Sequence, residues 1–152
     1  MPSPPPFPPP HTLRAKLVNA GVNMNVQLYR LSGGRLGNKV KGAPVLLLDH
    51  VGRKSGVKRT TPLLYLADGD DVAIVGSRGG SDAMPAWWFN LMASPDTTVQ
   101  IGRERRRVAA RQATPEEKAE LWPRLCEMYP DYAVYQRRTD RDIPVAILSP
   151  AS

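Results

Sequence analysis

The 152-residue chain carries 21 Lys and Arg against 14 Asp and Glu, a formal net charge of +7, and is long enough to fold around one real core. That balance suits an anionic ligand, a nucleic acid or an anionic membrane surface. A lone cysteine, Cys126, excludes an internal disulfide and a cysteine-based zinc site. His11 and His50 are too few for a histidine-rich metal site, so no metal is expected, and both are read as surface or loop residues.

Residues 1–11 make a proline-rich arm with too little apolar surface to fold, expected to be extended or disordered. Residues 12–152 are then read as a single domain. From Thr12 to Leu31, the residues Leu13, Leu17, Ala20, Met24, Leu28 and Leu31 fall on one face of a helix, flanked by Arg14, Lys16 and Arg30. Docking on the core is the favoured reading, and rest on a membrane surface the alternative. No run approaches the ~20 apolar residues of a spanning helix, and no apolar signal core opens the chain. A cytoplasmic protein is expected, with peripheral contact at the inner face of the membrane as the alternative.

Gly33, Gly34, Gly37 and Asn38 break the helix and lead to a strand near residues 44–50. There follows Gly52-Arg53-Lys54-Ser55-Gly56-Val57-Lys58-Arg59, four cations in eight residues between two apolar runs, the pattern of a loop joining two strands. Its glycines let the backbone turn tightly and approach a ligand. Arg53 and Arg59 can fork onto phosphate or carboxylate oxygens, while Lys54 supplies a compact charge. A solvated hairpin tip is the plainer reading; anion binding is favoured over it. The loop is no Walker motif, and the glycines at 33, 34 and 37 make no dinucleotide fingerprint.

A second strand (about 60–67) ends at the turn Asp68-Gly69-Asp70-Asp71. The third, 72–75, runs into Gly76-Ser77-Arg78-Gly79-Gly80-Ser81, a second loop able to cradle an anion or a polar ring edge. Pro85 opens a short helix over 86–92, stopped by Ser94-Pro95. Trp87 and Trp88 must point about 100° apart on it, so one can pack in the core while the other faces a cleft. Residues 97–101 and 105–112 form a hairpin across Gly102 bearing Arg103, Arg105, Arg106 and Arg107. Thr114-Pro115-Glu116-Glu117 carries an N-cap, a first-turn proline and a capping-box glutamate, opening a helix to about Met128. Tyr129, Tyr132 and Tyr135 then share one face of a short helix, and 143–148 is the last strand. Antiparallel hairpins with separate helices predict an α+β, barrel-like domain.

In their order, Gly52-Arg53-Lys54-Ser55-Gly56, Gly76-Ser77-Arg78-Gly79-Gly80, Pro85-Ala86-Trp87-Trp88-Phe89-Asn90-Leu91, Glu120-Leu121-Trp122-Pro123 and Met128-Tyr129-Pro130 resemble the deazaflavin-dependent nitroreductase and quinone reductase family of actinobacteria. Tyr132, Tyr135, Thr139-Asp140-Arg141 and Ile143-Pro144 continue the match, which covers roughly residues 20–149. The resemblance implies a split β-barrel, similar to pyridoxamine-oxidase-like flavoproteins, that binds the 8-hydroxy-5-deazaflavin coenzyme F-420. It also implies hydride transfer from the reduced coenzyme to quinones, activated enones of unsaturated lactones, or nitroaromatic compounds.

Under that resemblance Arg53, Lys54, Ser55, Gly56 and Arg59 meet the anionic coenzyme tail. Pro62, Leu64, Gly76, Ser77, Arg78, Trp87 and Asn90 surround the coenzyme. Ser77 and Tyr132 are candidates to bond the acceptor oxygen or relay a proton, with water as the rival donor. Tyr129, Tyr132 and Tyr135 wall the substrate pocket; as plain core aromatics they need no function. Two departures limit the parallel with nitroimidazole reduction: Leu64 stands where the best-known pattern has tyrosine, and Arg78 where it has lysine. The rival readings are a related flavin- or haem-binding split barrel and a basic barrel binding single-stranded nucleic acid through Arg103–Arg107 and exposed tryptophans. The first separates by absorbance after mixing with each cofactor.

Overall fold

The computed structural model describes residues 26–151. The proline-rich arm and residues 12–25 of the expected first helix lie outside the described residues, and with them most of the helix on which the membrane-surface reading rested. No helix of the described residues is long and apolar enough to cross a membrane.

Helix α1 covers residues 26–31. Strands β1 (Lys39–Val40), β2 (Ala43–Val51), β3 (Lys58–Leu64), β4 (Leu66–Asp68), β5 (Asp71–Val75), β6 (Asp96–Ile101), β7 (Glu104–Gln112) and β8 (Val145–Pro150) follow, with helices α2 (Ala86–Ala93), α3 (Pro115–Met128) and α4 (Asp131–Arg137) between them. All strand pairs are antiparallel, in the order β1-β2-β6-β7-β8-β5-β4, and β3 also pairs with β2.

That order closes on itself through one residue. Only Tyr65 separates β3 from β4, and its N–H donates to the Pro44 carbonyl at 3.1 Å. Before the bend the chain lies along β2, from Val51 opposite Lys58 to Val45 opposite Leu64. After it, Leu66–Asp68 pairs with β5. The strand expected over 60–67 is therefore two strands serving opposite ends of the sheet, and the bend curls the sheet into a barrel that leaves few bare edges.

Strand β2 explains its own run of four apolar residues. Leu46 and Leu48 face one cluster with Ile74, Trp88, Leu91 and Val99, while Val45 and Leu47 face Val26 and Tyr29 of α1. Alternate residues point to opposite faces, so a strand buried on both sides reads as continuous hydrophobics. Tyr29 fixes α1 in place: its buried hydroxyl donates to the Val45 carbonyl at 3.1 Å and accepts the Gly102 N–H at 2.7 Å. A third cluster joins α3 and α4 to the other end of the barrel through Leu121, Leu125, Tyr132, Ile143 and Val145.

The capping box forms as read: Thr114 Oγ1 accepts from the Glu117 N–H at 3.2 Å, and Glu117 Oε1 accepts from the Thr114 N–H at 3.0 Å. Arg111 forks onto the same carboxylate at 2.6 and 2.7 Å and, with the cap, holds its pKa down at about 2. Three local expectations are corrected. The last strand begins at Val145, because Pro144 has no N–H and that of Ile143 is spent on Gln136 Oε1 at 3.0 Å. Tyr129 precedes α4 rather than lying in it. His50 sits buried in β2 instead of on the surface.

Tyr29→Phe leaves the Gly102 N–H and Val45 carbonyl without their buried partner, so it is expected to cost about 1–3 kcal/mol. Urea unfolding of the two proteins measures this; superimposable curves would show that α1 is not fastened by this hydroxyl.

Candidate active site

The basic hairpin is built from β2 and β3 and closed by two backbone bonds. The Gly52 N–H donates to the Val57 carbonyl at 2.9 Å, and the Gly56 N–H to the Gly52 carbonyl at 2.8 Å. Gly56 takes a φ of 69°, which an L side chain resists. Ser55 Oγ accepts the Val57 N–H at 3.2 Å, so the serine shapes the turn. Arg53, Lys54, Lys58 and Arg59 are all exposed. None of the four has a carboxylate partner within 4.0 Å among the described residues; the ion pairs formed there belong to other cations.

Helix α2 is the mount for this hairpin. Asn90 Oδ1 accepts the Arg53 backbone N–H at 3.0 Å, and the Arg53 guanidinium lies over the Phe89 ring, 4.6 Å from its centroid. A cation on an exposed ring gains of the order of 0.5–1 kcal/mol. With Oδ1 committed, Asn90 presents Nδ2 to His50 Nδ1 at 3.0 Å, which makes that nitrogen an acceptor. His50 is then protonated on Nε2, which donates to Thr61 Oγ1 at 2.8 Å. Burial, helped by Arg59 and opposed by Asp49, pushes the His50 pKa below its usual value, consistent with a neutral ring. Asn90 is thus a buried support under the hairpin.

The second loop follows β5. Its 3-10 turn, Arg78–Gly80, places Arg78 at a φ of 44° and Gly80 at 81°. Gly80 packs against α4 so closely that a Cβ there would stand 2.7 Å from the Tyr135 carbonyl oxygen. Arg141, singled out in the sequence only as part of a pattern, ties the loop together. Its Nη2 donates to the carbonyls of Gly76 at 3.1 Å and Ser77 at 2.9 Å, and its Nε to that of Ser81 at 2.8 Å. Arg138 reaches the Gly79 carbonyl at 3.2 Å, and Thr139 bonds Asp82 at 2.7 Å. The signal for these roles lay in polar residues set between a helix and a buried strand, but their partners are some sixty residues away.

The tyrosines gather beyond this loop. Ring centroids of Tyr129 and Tyr132 are 5.0 Å apart, and each lies 6.2 Å from Tyr135; Trp122 flanks Tyr132 at 6.2 Å. Tyr129 and Tyr135 share a hydroxyl–hydroxyl bond at 3.3 Å, and Lys41, paired with Asp131 at 2.7 Å, sits over the Tyr129 ring. Tyr132 is only 4% exposed, yet its hydroxyl makes no hydrogen bond among the described residues. No fully enclosed side-chain polar atom there lacks a partner, so this hydroxyl reaches accessible surface. Burial and the neighbouring Tyr135 push its pKa up, which keeps it a protonated donor. Ser77 Oγ, half-buried, likewise makes no hydrogen bond among the described residues.

The remaining candidates divide. Pro62 and Leu64 lie on β3, with Leu64 packed into the tyrosine cluster. Trp87 and Trp88 are both buried, in an edge-on pair 5.8 Å apart, and both belong to the cluster under β2. Helix α2 is sandwiched between barrel and loops, and its exposed aromatic is Phe89. Trp88 backs the glycine loop, where a Cβ on Gly76 would lie 3.1 Å from its ring. Consecutive residues of α2 therefore support the glycine loop, through Trp88, and the basic hairpin, through Phe89 and Asn90. The tyrosines touch the glycine loop through α4, and no hydrogen bond or ring contact among the described residues joins them to the hairpin.

Arg141→Lys replaces a fork that binds three carbonyls by a single point charge. It is expected to loosen residues 76–82 and cost about 1–3 kcal/mol. Limited proteolysis and thermal unfolding are the readouts, and an unchanged cleavage pattern would deny Arg141 this part.

The family model for F-420H(2)-dependent quinone reductase matches residues 22–150. An F-420H(2)-dependent quinone reductase of Mycobacterium tuberculosis is 41% identical over 126 residues, covering 80% of this chain and 85% of that protein. A second M. tuberculosis relative bearing the same family name is 46% identical over 110 residues, 72% of this chain and 92% of that one. Among solved structures, an F-420H2-dependent reductase superposes with a TM-score of 0.65 at 40% identity, covering 70% of this chain and 94% of that one. A Listeria innocua protein assigned as a pyridoxamine 5′-phosphate oxidase shares the fold alone: TM-score 0.51, 12% identity, 89% and 94% coverage. With nearly its whole length matched, the chain belongs to the F-420H(2)-dependent quinone reductase family.

Proposed function

We propose that this chain oxidises reduced coenzyme F-420 and delivers hydride to a quinone, with the 52–59 hairpin holding the coenzyme's anionic tail. The observation that carries the reading is the set of four exposed cations without a carboxylate partner among the described residues. A phosphodiester followed by glutamates is the polyanion such a set accommodates. When bound, the coenzyme supplies a hydride, and the quinone takes that hydride and a proton to become a hydroquinone.

The protein's own part is to bind, orient and donate. Arg53 and Lys54 meet the tail, Arg59 extends the positive strip, and Ser55 and Gly56 keep the turn tight. Pro62, Leu64, Gly76, Ser77 and Arg78 border the ring, with Trp87 and Asn90 supporting the two loops from beneath. Tyr129, Tyr132 and Tyr135 wall the acceptor side. Tyr132, held protonated, donates to the acceptor oxygen on which charge develops, and Ser77 Oγ is the second hydroxyl free to do so. Activated enones and nitroaromatic compounds present a comparable oxygen and are proposed as further acceptors. A single-strand-binding alternative needs exposed tryptophans among Arg103–Arg107, and both described tryptophans of α2 are buried.

Arg53→Ala and Lys54→Ala should each weaken coenzyme binding by about 1–3 kcal/mol. Unchanged titration affinity in both variants would remove the hairpin from the site. Tyr132→Phe should slow single-turnover oxidation of bound coenzyme by a quinone roughly 10- to 1,000-fold, with little change in affinity. A wild-type rate in both Tyr132→Phe and Ser77→Ala would assign the proton to water. Turnover with NADPH is expected to be negligible, and comparable rates with it would contradict the donor assignment.

A further inference from the structure

We propose that His50 is a positioning residue for the anion-binding hairpin, acting through Asn90, and that the hairpin's hold on an anionic ligand requires a neutral His50 ring. The proposal deepens the reading of the hairpin as the coenzyme-tail site and rests on it. Its basis is an unbroken polar chain, Thr61–His50–Asn90–Arg53, which crosses from β3 through β2 and α2 to the first residue after Gly52.

The direction of each bond is forced. The Arg53 N–H can only donate, so Asn90 must give it Oδ1 and turn Nδ2 toward His50. Nδ2 can only donate, so His50 must accept on Nδ1. A protonated imidazolium carries hydrogen on both nitrogens and would face Nδ2 donor to donor. Asn90 is buried, so its amide cannot turn to water; it must rotate or shift, and Arg53 loses its backbone anchor. Arg53 is also the residue stacked on Phe89, so backbone and guanidinium would move together.

The surroundings of the ring agree. Arg59 faces it from β3 and disfavours its charge; Asp49, beside it on β2, favours charge but is already bonded by Arg30 at 3.3 Å and Arg105 at 2.9 Å. The ring's hydrogen-bond partners, Asn90 from α2 and Thr61 from β3, bring no titratable group. Burial comes first among the causes holding the ring's pKa down. The folded-state value therefore lies below the unfolded value of about 6.5. The stabilisation is fully present above that value and is lost as pH falls toward the folded-state pKa. Simple Coulomb attraction predicts the opposite for an anion, since a charged His50 would add to the positive strip. The two accounts differ in sign.

The test follows the Arg53 amide by NMR hydrogen exchange, as a protection factor corrected for intrinsic rate, in the coenzyme-free protein between pH 7.5 and 5. His50 ring signals are titrated in the same samples, and coenzyme F-420 dissociation constants are measured in parallel. Arg53 protection should fall as pH drops from about 6.5 toward the His50 pKa, by up to about tenfold per pH unit, while the Val99 amide stays protected. Coenzyme affinity should weaken over the same range. Asn90→Ala should lose Arg53 protection at every pH. Asn90→Asp offers an acceptor to both the Arg53 N–H and an imidazolium, so it should raise the His50 pKa and keep Arg53 protected in acid. Flat Arg53 protection across the His50 titration, or affinity that tightens as pH falls, would overturn the proposal. Failure of the tail-site reading looks different: Arg53 protection would track His50 while Arg53→Ala and Lys54→Ala left coenzyme affinity untouched.

Discussion

Four like charges on one eight-residue hairpin repel one another, and no described carboxylate neutralises them. In water each such pair costs up to about 1 kcal/mol at 4 Å, less with salt. Backbone bonds within the turn and the fold beneath it therefore hold these charges together. Two strands of the barrel set its ends, and Asn90, Phe89 and His50 fix Arg53 from below. An arriving polyanion finds charge already placed, so less ordering free energy is lost on binding. Elsewhere on the surface, cations such as Arg105, Arg111 and Arg124 are spent on Asp49, Glu117 and Asp68.

The glycine loop solves a different problem with the same residue type. Its residues are too tightly turned for regular pairing, so carbonyls are left over at Gly76, Gly79 and Ser81, and that of Ser77 accepts only the Gly80 N–H within the turn. Arg141 and Arg138 take them up from outside the sheet. Because Arg141 binds the carbonyls that follow β5 and Gly80 packs on α4, barrel, loop and tyrosine helix form one continuous wall. Helix α2 runs beneath both loops, so the two loops are kept in a fixed relation.

Much of this was legible in sequence where the cause is local. The capping box at Thr114, the turn at Gly69, the hairpin across Gly102 and the break at Ser94 each rest on neighbours a few residues apart, and each forms as read. The four apolar residues of β2 marked a strand without revealing that both its faces are covered. What escaped depends on distance along the chain. The bend at Tyr65 is set by where Pro44 and β5 lie, the burial of His50 by α2, and the role of Arg141 by carbonyls more than sixty residues back. The two tryptophans escaped for a related reason: helical geometry separates their directions, but α2 has protein on both of the sides they face.

The central claim is that pre-placed positive charge on this hairpin, rather than contacts to the ring alone, selects the coenzyme. The most direct measurement compares equilibrium dissociation constants of intact coenzyme F-420 and of its deazaflavin chromophore lacking the phosphodiester and glutamates. The account predicts that removing the tail weakens binding by about 100-fold or more, as expected for losing two or more charge-assisted bonds, and that the loss shrinks as salt is raised. Equal affinities for the two compounds, unchanged by salt, would contradict it.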